Sequence, residues 1–108
     1  MPLSAKARIE AYLPDLPSPN YQELLDALQR EFTFTFGGCT LIRDLDGSYL
    51  SQHGEWIQDR INLVYTDAPF SFDEDRLARY ADRLRTAAFR ALNEEAVLIA
   101  VYPVRHAE

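Results

Sequence analysis

The residue whose type and spacing point most directly to chemistry is Asp59. It sits inside the alternation Ile57-x-Asp59-x-Ile61-x-Leu63, a register in which every other side chain is apolar and is expected to face the core. A carboxylate there is costly unless it is paired or hydrogen-bonded. Burial raises its pKa and a neighbouring arginine lowers it. A carboxylate perturbed in this way serves as a general base or holds a polar ligand, which makes Asp59 the candidate catalytic residue. Tyr49, Trp56 and Thr40 are the candidate ligand-binding residues around it. Two structural readings stand beside this one. Asp59 accepts backbone N–H groups near Gly37-Gly38, or a bulge flips the register and puts it in water.

Cys39 is the one cysteine and follows Gly37-Gly38. Backbone amides at such a place can cradle an anion and favour a thiolate. Nucleophilic catalysis would also need a base, and the two histidines, His53 and His106, fall in a predicted turn and the tail. A small buried core cysteine is the simpler reading. Cys39, His53, Asp59 and His106 do not have the spacing of a preformed metal site, so no metal is expected. No phosphate loop, dinucleotide fingerprint or serine elbow is present, and no cofactor is expected.

These residues must be positioned by a mixed set of elements. Lys6 to Leu13 alternates, with Ala7, Ile9, Ala11 and Leu13 toward the core and Lys6, Arg8, Glu10 and Tyr12 away from it. This predicts a strand, although a short helix capped by Ser4 fits the same residues. Pro14, Pro17 and Pro19 make a stiff connection. A helix starts near Ser18 to Asn20, either on the Asn20/Glu23 capping box or on Ser18 before Pro19. Tyr21, Leu24, Leu25, Leu28 and Phe32 form its apolar face. It is expected to fail near Phe32, where Thr33-Phe34-Thr35-Phe36 switches to period 2.

A β-meander follows from Gly37 to Thr66. Its turns are predicted at Asp46-Gly47, a strong two-residue hairpin signal, and at His53-Gly54. Its last strand runs from Glu55 to Thr66, with Trp56, Gln58, Arg60, Asn62, Val64 and Thr66 opposite the Asp59 face. A second helix starts at the Ser71/Glu74 capping box and carries Leu77, Tyr80, Ala81, Leu84, Ala88 and Leu92 on one stripe. Ala96 to Val104 is apolar on both faces, as expected of a central strand. The order β-α-β-β-β-α-β defines a single α+β domain over residues 1–108, a two-layer sandwich. It is a ferredoxin-like variant with one extra short strand, a mostly antiparallel sheet and two helices on one face.

The bulk properties agree with one domain. The chain has 108 residues, 47% hydrophobic and 12% aromatic, with a formal charge of −6. That length buries enough apolar surface to fold without disulfides or metal. The acidic balance weighs against a nucleic-acid partner. Arg76, Arg79, Arg83, Arg85 and Arg90 alternate with acidic residues and read as a solvated, ion-paired helix face. No apolar run is long enough to cross a bilayer, so no membrane partner is expected. The unpaired cysteine and the absence of a leader pattern at Met1-Pro2-Leu3-Ser4 point to the cytoplasm.

A two-layer sheet leaves one face uncovered. If Ile57 and its register partners meet the helices, Trp56, Val64 and Tyr102 point outward. Several such residues on one face exceed the scatter of a monomer and predict a homo-oligomer, a dimer in the simplest case. The expected function is a self-associating binding or accessory protein with an unknown small-molecule ligand. The alternative is a cofactor-independent enzyme with Asp59 as general base.

The segment Gly38 to Thr66, with Thr40, Asp46-Gly47, Tyr49, Gly54 and Asp59, resembles a family of small bacterial domains of unknown function. Its pattern is a Gly-x-Thr strand, a Gly-aromatic hairpin, a second Gly and an acidic residue leading into an apolar strand. Leu92-Asn93-Glu94-Glu95-Ala96-Val97-Leu98 matches the family's closing helix-to-strand step. The resemblance implies an α+β sandwich and the Asp59 register, and no activity. Met1-Pro2 is similar to the start of tautomerase superfamily chains, in which an exposed N-terminal proline is the base. That resemblance carries over Pro2 alone, because Leu3-Ser4-Ala5 intervenes before the strand and no arginine motif matches.

Overall fold

The computed structural model describes residues 3–15, 17–68, 74–92 and 97–107. Pro2, Ser71, the Glu94-Glu95 step and Ala96 lie outside them. The elements run β1 (Leu3–Pro14), α1 (Pro19–Phe36), β2 (Thr40–Leu50), β3 (Trp56–Ala68), α2 (Glu74–Leu92) and β4 (Leu98–Ala107). The sheet has the order β2-β3-β1-β4, and every neighbouring pair is antiparallel. This is the ferredoxin-like βαββαβ arrangement, an α+β fold with both helices packed on one face.

β1 forms because its alternation is unbroken, and it lies at the centre of the sheet because both its edges are paired. Ala7, Ile9, Ala11 and Leu13 are fully buried under the helices. They join Tyr21, Leu25, Leu28 and Phe32 of α1, Val64 and Ala68 of β3, and Leu77 and Ala88 of α2 in one core. Each large aliphatic side chain removed from water there contributes roughly 1.5–3 kcal/mol.

Ser18 caps α1. Its Oγ accepts the Asn20 N–H at 3.2 Å, and Pro19 occupies the first turn, where a missing N–H costs nothing. The helix runs one turn past its expected end, to Phe36. Phe32 and Phe36 are four residues apart and share a helical face, whereas Phe34 is 86% exposed. The apparent period 2 comes from reading all three together. Gly37, at φ 97°, ends the helix and donates its N–H to the Thr33 carbonyl at 2.9 Å.

Among the described residues there are four strands, and the expected extra one is part of β2. β2 passes straight through Asp46-Gly47, which pair with Arg60 and Asp59. The chain turns at Ser51 to Glu55 instead, where the Ser51 N–H donates to the Glu55 carbonyl and the Ser51 hydroxyl accepts the His53 and Glu55 N–H groups. Gly47 makes room for packing: a Cβ there would meet the tip of the Ile61 side chain, which would have to shift. The irregularity in β2 lies earlier, between Ile42 and Leu45, where Arg43 and Asp44 together oppose Asn62. Asp44 takes a positive φ of 62°, as bulge residues do.

β4 is an edge strand, not a central one. Its helix-side register (Ile99, Val101) packs on the core, while Leu98 and Tyr102 are exposed. Pro103 sits within β4 opposite Ala7, a residue that an edge tolerates because only one side of the strand is paired.

Candidate functional site

Register pairing decides which side chains share the uncovered face. Ile9, Ala11 and Leu13 pair with Thr66, Val64 and Asn62, so the even-numbered residues of β3 from Asn62 onward face the helices. Val64 is fully buried. Thr66 donates its hydroxyl to the Gly38 carbonyl at 2.6 Å. Asn62, only 1% exposed, donates to Tyr21 Oη and Asp15 Oδ1 and accepts the Asp44 N–H.

The register expected for β3 is therefore reversed. Asp59, with Ile57, Ile61, Leu63 and Tyr65, lies on the open face, and Val64 does not point outward. Trp56 shares the helix-side register but lies at the hairpin end and is 71% exposed. Both faces of β3 carry apolar residues, and the strongly polar alternate positions of β1 settle which is covered. Tyr102 does lie on the open face, as expected.

At one end of that face is a polar cluster. Arg8 holds Asp67 with two hydrogen bonds, Nε to Oδ1 at 2.7 Å and Nη2 to Oδ2 at 2.8 Å. His106 Nε2 lies 2.9 Å from Asp67 Oδ2, and the Arg8 guanidinium stacks 4.6 Å from the Tyr65 ring centre. Next along β1, Glu10 is 8% exposed and takes one tyrosine hydroxyl on each oxygen, Tyr12 on Oε1 and Tyr102 on Oε2, both at 2.7 Å. The Arg8 hydrogen bonds, helped by His106 and opposed by burial, hold the Asp67 carboxyl below its ordinary range. The bond to Glu10, then burial, pushes Tyr12 up to about 12, and the same bond raises Tyr102. Both carboxylates are fully engaged, so neither is free to act as a base.

At the other end is a cleft of about 640 Å³, walled by Tyr12, Pro14, Tyr49, Ile61, Val97 and Leu98 and reached by Asp59, Gly47 and Ser48. Asp59 is half-buried. Its Oδ1 accepts the Arg60 N–H at 3.0 Å, and among the described residues no cationic side chain pairs with it. It lies directly opposite Gly47, away from Gly37-Gly38, which sit in the connection between α1 and β2.

The sequence-predicted residues do not all converge. Tyr49 shares the cleft with Asp59, and Trp56 stays outside it. Thr40 pairs with Tyr65 and lines a separate hollow with Gly37, Gly38, Cys39 and Asp67. Cys39 is half-buried, and its thiol sits 3.7 Å from the Gln29 carbonyl. Among the described residues no cluster of histidine, cysteine and carboxylate side chains is placed to hold a metal, and no helix is long and apolar enough to cross a membrane. Sequence reasoning missed Asp67 and its meeting with Arg8 and His106 beside Glu10. The available signal was a central strand with charge on alternate positions, which requires partners on its neighbours.

The chain's sequence matches no protein-family model and no curated protein. Solved structures share its fold. A divalent cation tolerance protein (Cut A1) from Thermus thermophilus superposes with a TM-score of 0.60 at 13% identity, over 97% of this chain and 88% of that one. CPII, a nitrogen regulatory PII-like protein from Thiomonas intermedia bound to ADP, AMP and bicarbonate, gives 0.57 at 13% identity, over 99% of this chain and 100% of that one. A phage SAM lyase in complex with S-methyl-5'-thioadenosine gives 0.61 at 11% identity, over 94% and 90%. At these identities the likeness concerns the fold, which is ferredoxin-like.

Proposed function

We propose that the chain is a small binding protein that works as a homo-oligomer, a dimer at the least, with copies meeting across the open sheet face. The observation that carries this reading is the Arg8–Asp67–His106 and Glu10–Tyr12–Tyr102 cluster on a face the helices leave bare. Ile42, Tyr49 and Leu98 lie on the same face and, like Tyr102 of the cluster, are each more than a third exposed. An apolar face of this extent favours association, and an ordered polar network in its midst fixes the register in which a partner seats. Two of the similar structures hold adenine compounds, ADP with AMP and S-methyl-5'-thioadenosine. Adenine nucleosides and nucleotides are therefore the first small molecules to screen. The lone half-buried cysteine suits a reducing compartment.

Sedimentation velocity over a wide concentration range tests the assembly. The expected result is a mass at least twice the 12.4 kDa of one chain, falling to one chain in Ile42→Asp. A wild-type protein that sediments as a monomer throughout refutes the reading.

A second reading, cofactor-independent catalysis with Asp59 as general base, draws on the placement of that carboxylate in an apolar-walled cleft. It requires a turnover that Asp59→Asn abolishes while the fold persists.

A further inference from the structure

We infer that the Asp59 cleft binds a small organic cation, a protonated amine carried on an apolar or aromatic body. The inference rests on the reading of the chain as a binding protein, and the cleft borders the proposed interface, sharing Tyr12, Tyr49 and Leu98 with it. Asp59 and Asp67 lie eight residues apart on β3, roughly 26 Å along an extended strand.

Three observations converge on the class of ligand. The cleft, at about 640 Å³, is within the size range of small-molecule sites, and its walls are mainly apolar and aromatic, which such sites favour. Its charge is unbalanced. Asp59 has a backbone partner on Oδ1 and no cationic partner among the described residues. Asp15 and Asp46 share an adjoining hollow with it, where Arg60 is the one cation. Arg60 is itself drawn toward Asp44 at 3.7 Å. Finally, the rings of Tyr12 and Tyr49 belong to the same wall, and aromatic rings favour a cation next to them. An anion would meet the Asp59 carboxylate here, and a neutral apolar molecule would leave the Asp59 charge uncompensated.

The geometry also explains Gly47. It faces Asp59 across the β2–β3 ladder, and the Ile61 side chain lies over its backbone where a Cβ would stand. Ile61 thus forms an apolar floor beside the carboxylate.

The test is calorimetric titration of the intact protein with phenethylamine, with 2-phenylethanol as neutral counterpart and 3-phenylpropionate as acid. Saturable amine binding is expected, roughly ten- to a hundredfold tighter than the alcohol, since a charged hydrogen bond discriminates on that scale. The acid should not bind. Asp59→Asn should remove the preference for amine over alcohol, and Tyr49→Ala should weaken both, each with an unchanged unfolding temperature. Absence of saturable amine binding, equal affinity for amine and alcohol, or a preference that survives Asp59→Asn overturns the inference. Sedimentation of the same samples separates the two readings. A monomer that binds the amine keeps this site and removes self-association. An oligomer that fails to bind removes this site alone.

Discussion

The Arg8 guanidinium closes on the Asp67 carboxylate with two parallel hydrogen bonds across the β1–β3 ladder, the two residues being 59 positions apart in the chain. The pair is partly shielded, with Asp67's side chain 17% exposed. Removing one partner leaves a shielded charge without its counterpart. Arg8→Met should therefore destabilise the protein by about 1–3 kcal/mol, read from urea unfolding at neutral pH. A loss indistinguishable from zero would show the pair to be energetically idle, as many exposed pairs are.

The same pair sets an acid dependence. The folded pKa of Asp67 is depressed, so its contribution is present above the unfolded carboxylate range, about pH 4, and is lost as pH falls through the lower folded value. Wild type should lose stability below about pH 4 more steeply than Asp67→Asn. Parallel melting-temperature profiles for the two would contradict this.

The tyrosines set an alkaline dependence of the opposite kind. Tyr12 is held up to about 12 by its bond to Glu10, and Tyr102 is raised by the same acceptor. A raised folded pKa means stability that is intact below the unfolded value, about 10, and that drains away as pH rises through the folded one. In an absorbance titration of phenolate, Tyr12→Phe should delete a component from the high-pH end. Deletion from the early part of the curve would place Tyr12 in water.

Asn62 joins three parts of the structure: the β2 bulge through Asp44, helix α1 through Tyr21, and Asp15 after β1. With Asn62 nearly inaccessible, Asn62→Ala opens a void and strands its partners. A loss of roughly 2–4 kcal/mol is expected, and Tyr21→Phe should cost about 1–2 kcal/mol. Denaturant unfolding of the two single variants and the double variant would show whether they couple, as contacting residues should.

Asp59→Asn should leave stability within about 0.5 kcal/mol of wild type, because its carboxylate is half-buried on the open face and, among the described residues, bonds the next residue's N–H alone. A large loss on thermal unfolding would put Asp59 in the structural network after all.

The sequence carried most of the frame and little of the site. The β1 alternation and the apolar faces of both helices are local patterns, and the core follows them residue for residue at Ala7, Ile9, Ala11 and Leu13. The reversal of β3 could not be read locally. Ile57, Ile61 and Leu63 are as apolar as the side that is actually covered, and the choice belongs to the partner strand. The Asp46-Gly47 signal was outweighed by the Ser51–Glu55 turn and by the packing of Ile61 over Gly47. The polar cluster is the extreme case, since Glu10 and Tyr102 meet across 92 positions. No spacing rule reaches that far.

Pro103 bears on how large an assembly can grow. Within sheets proline is confined to positions whose donor side meets solvent, so the free margin of β4 lacks a donor in mid-strand. An incoming extended segment would find an interrupted template. Side-by-side addition of copies into a fibre is thereby disfavoured at that margin, whereas the opposite edge of the sheet, β2, carries no such proline.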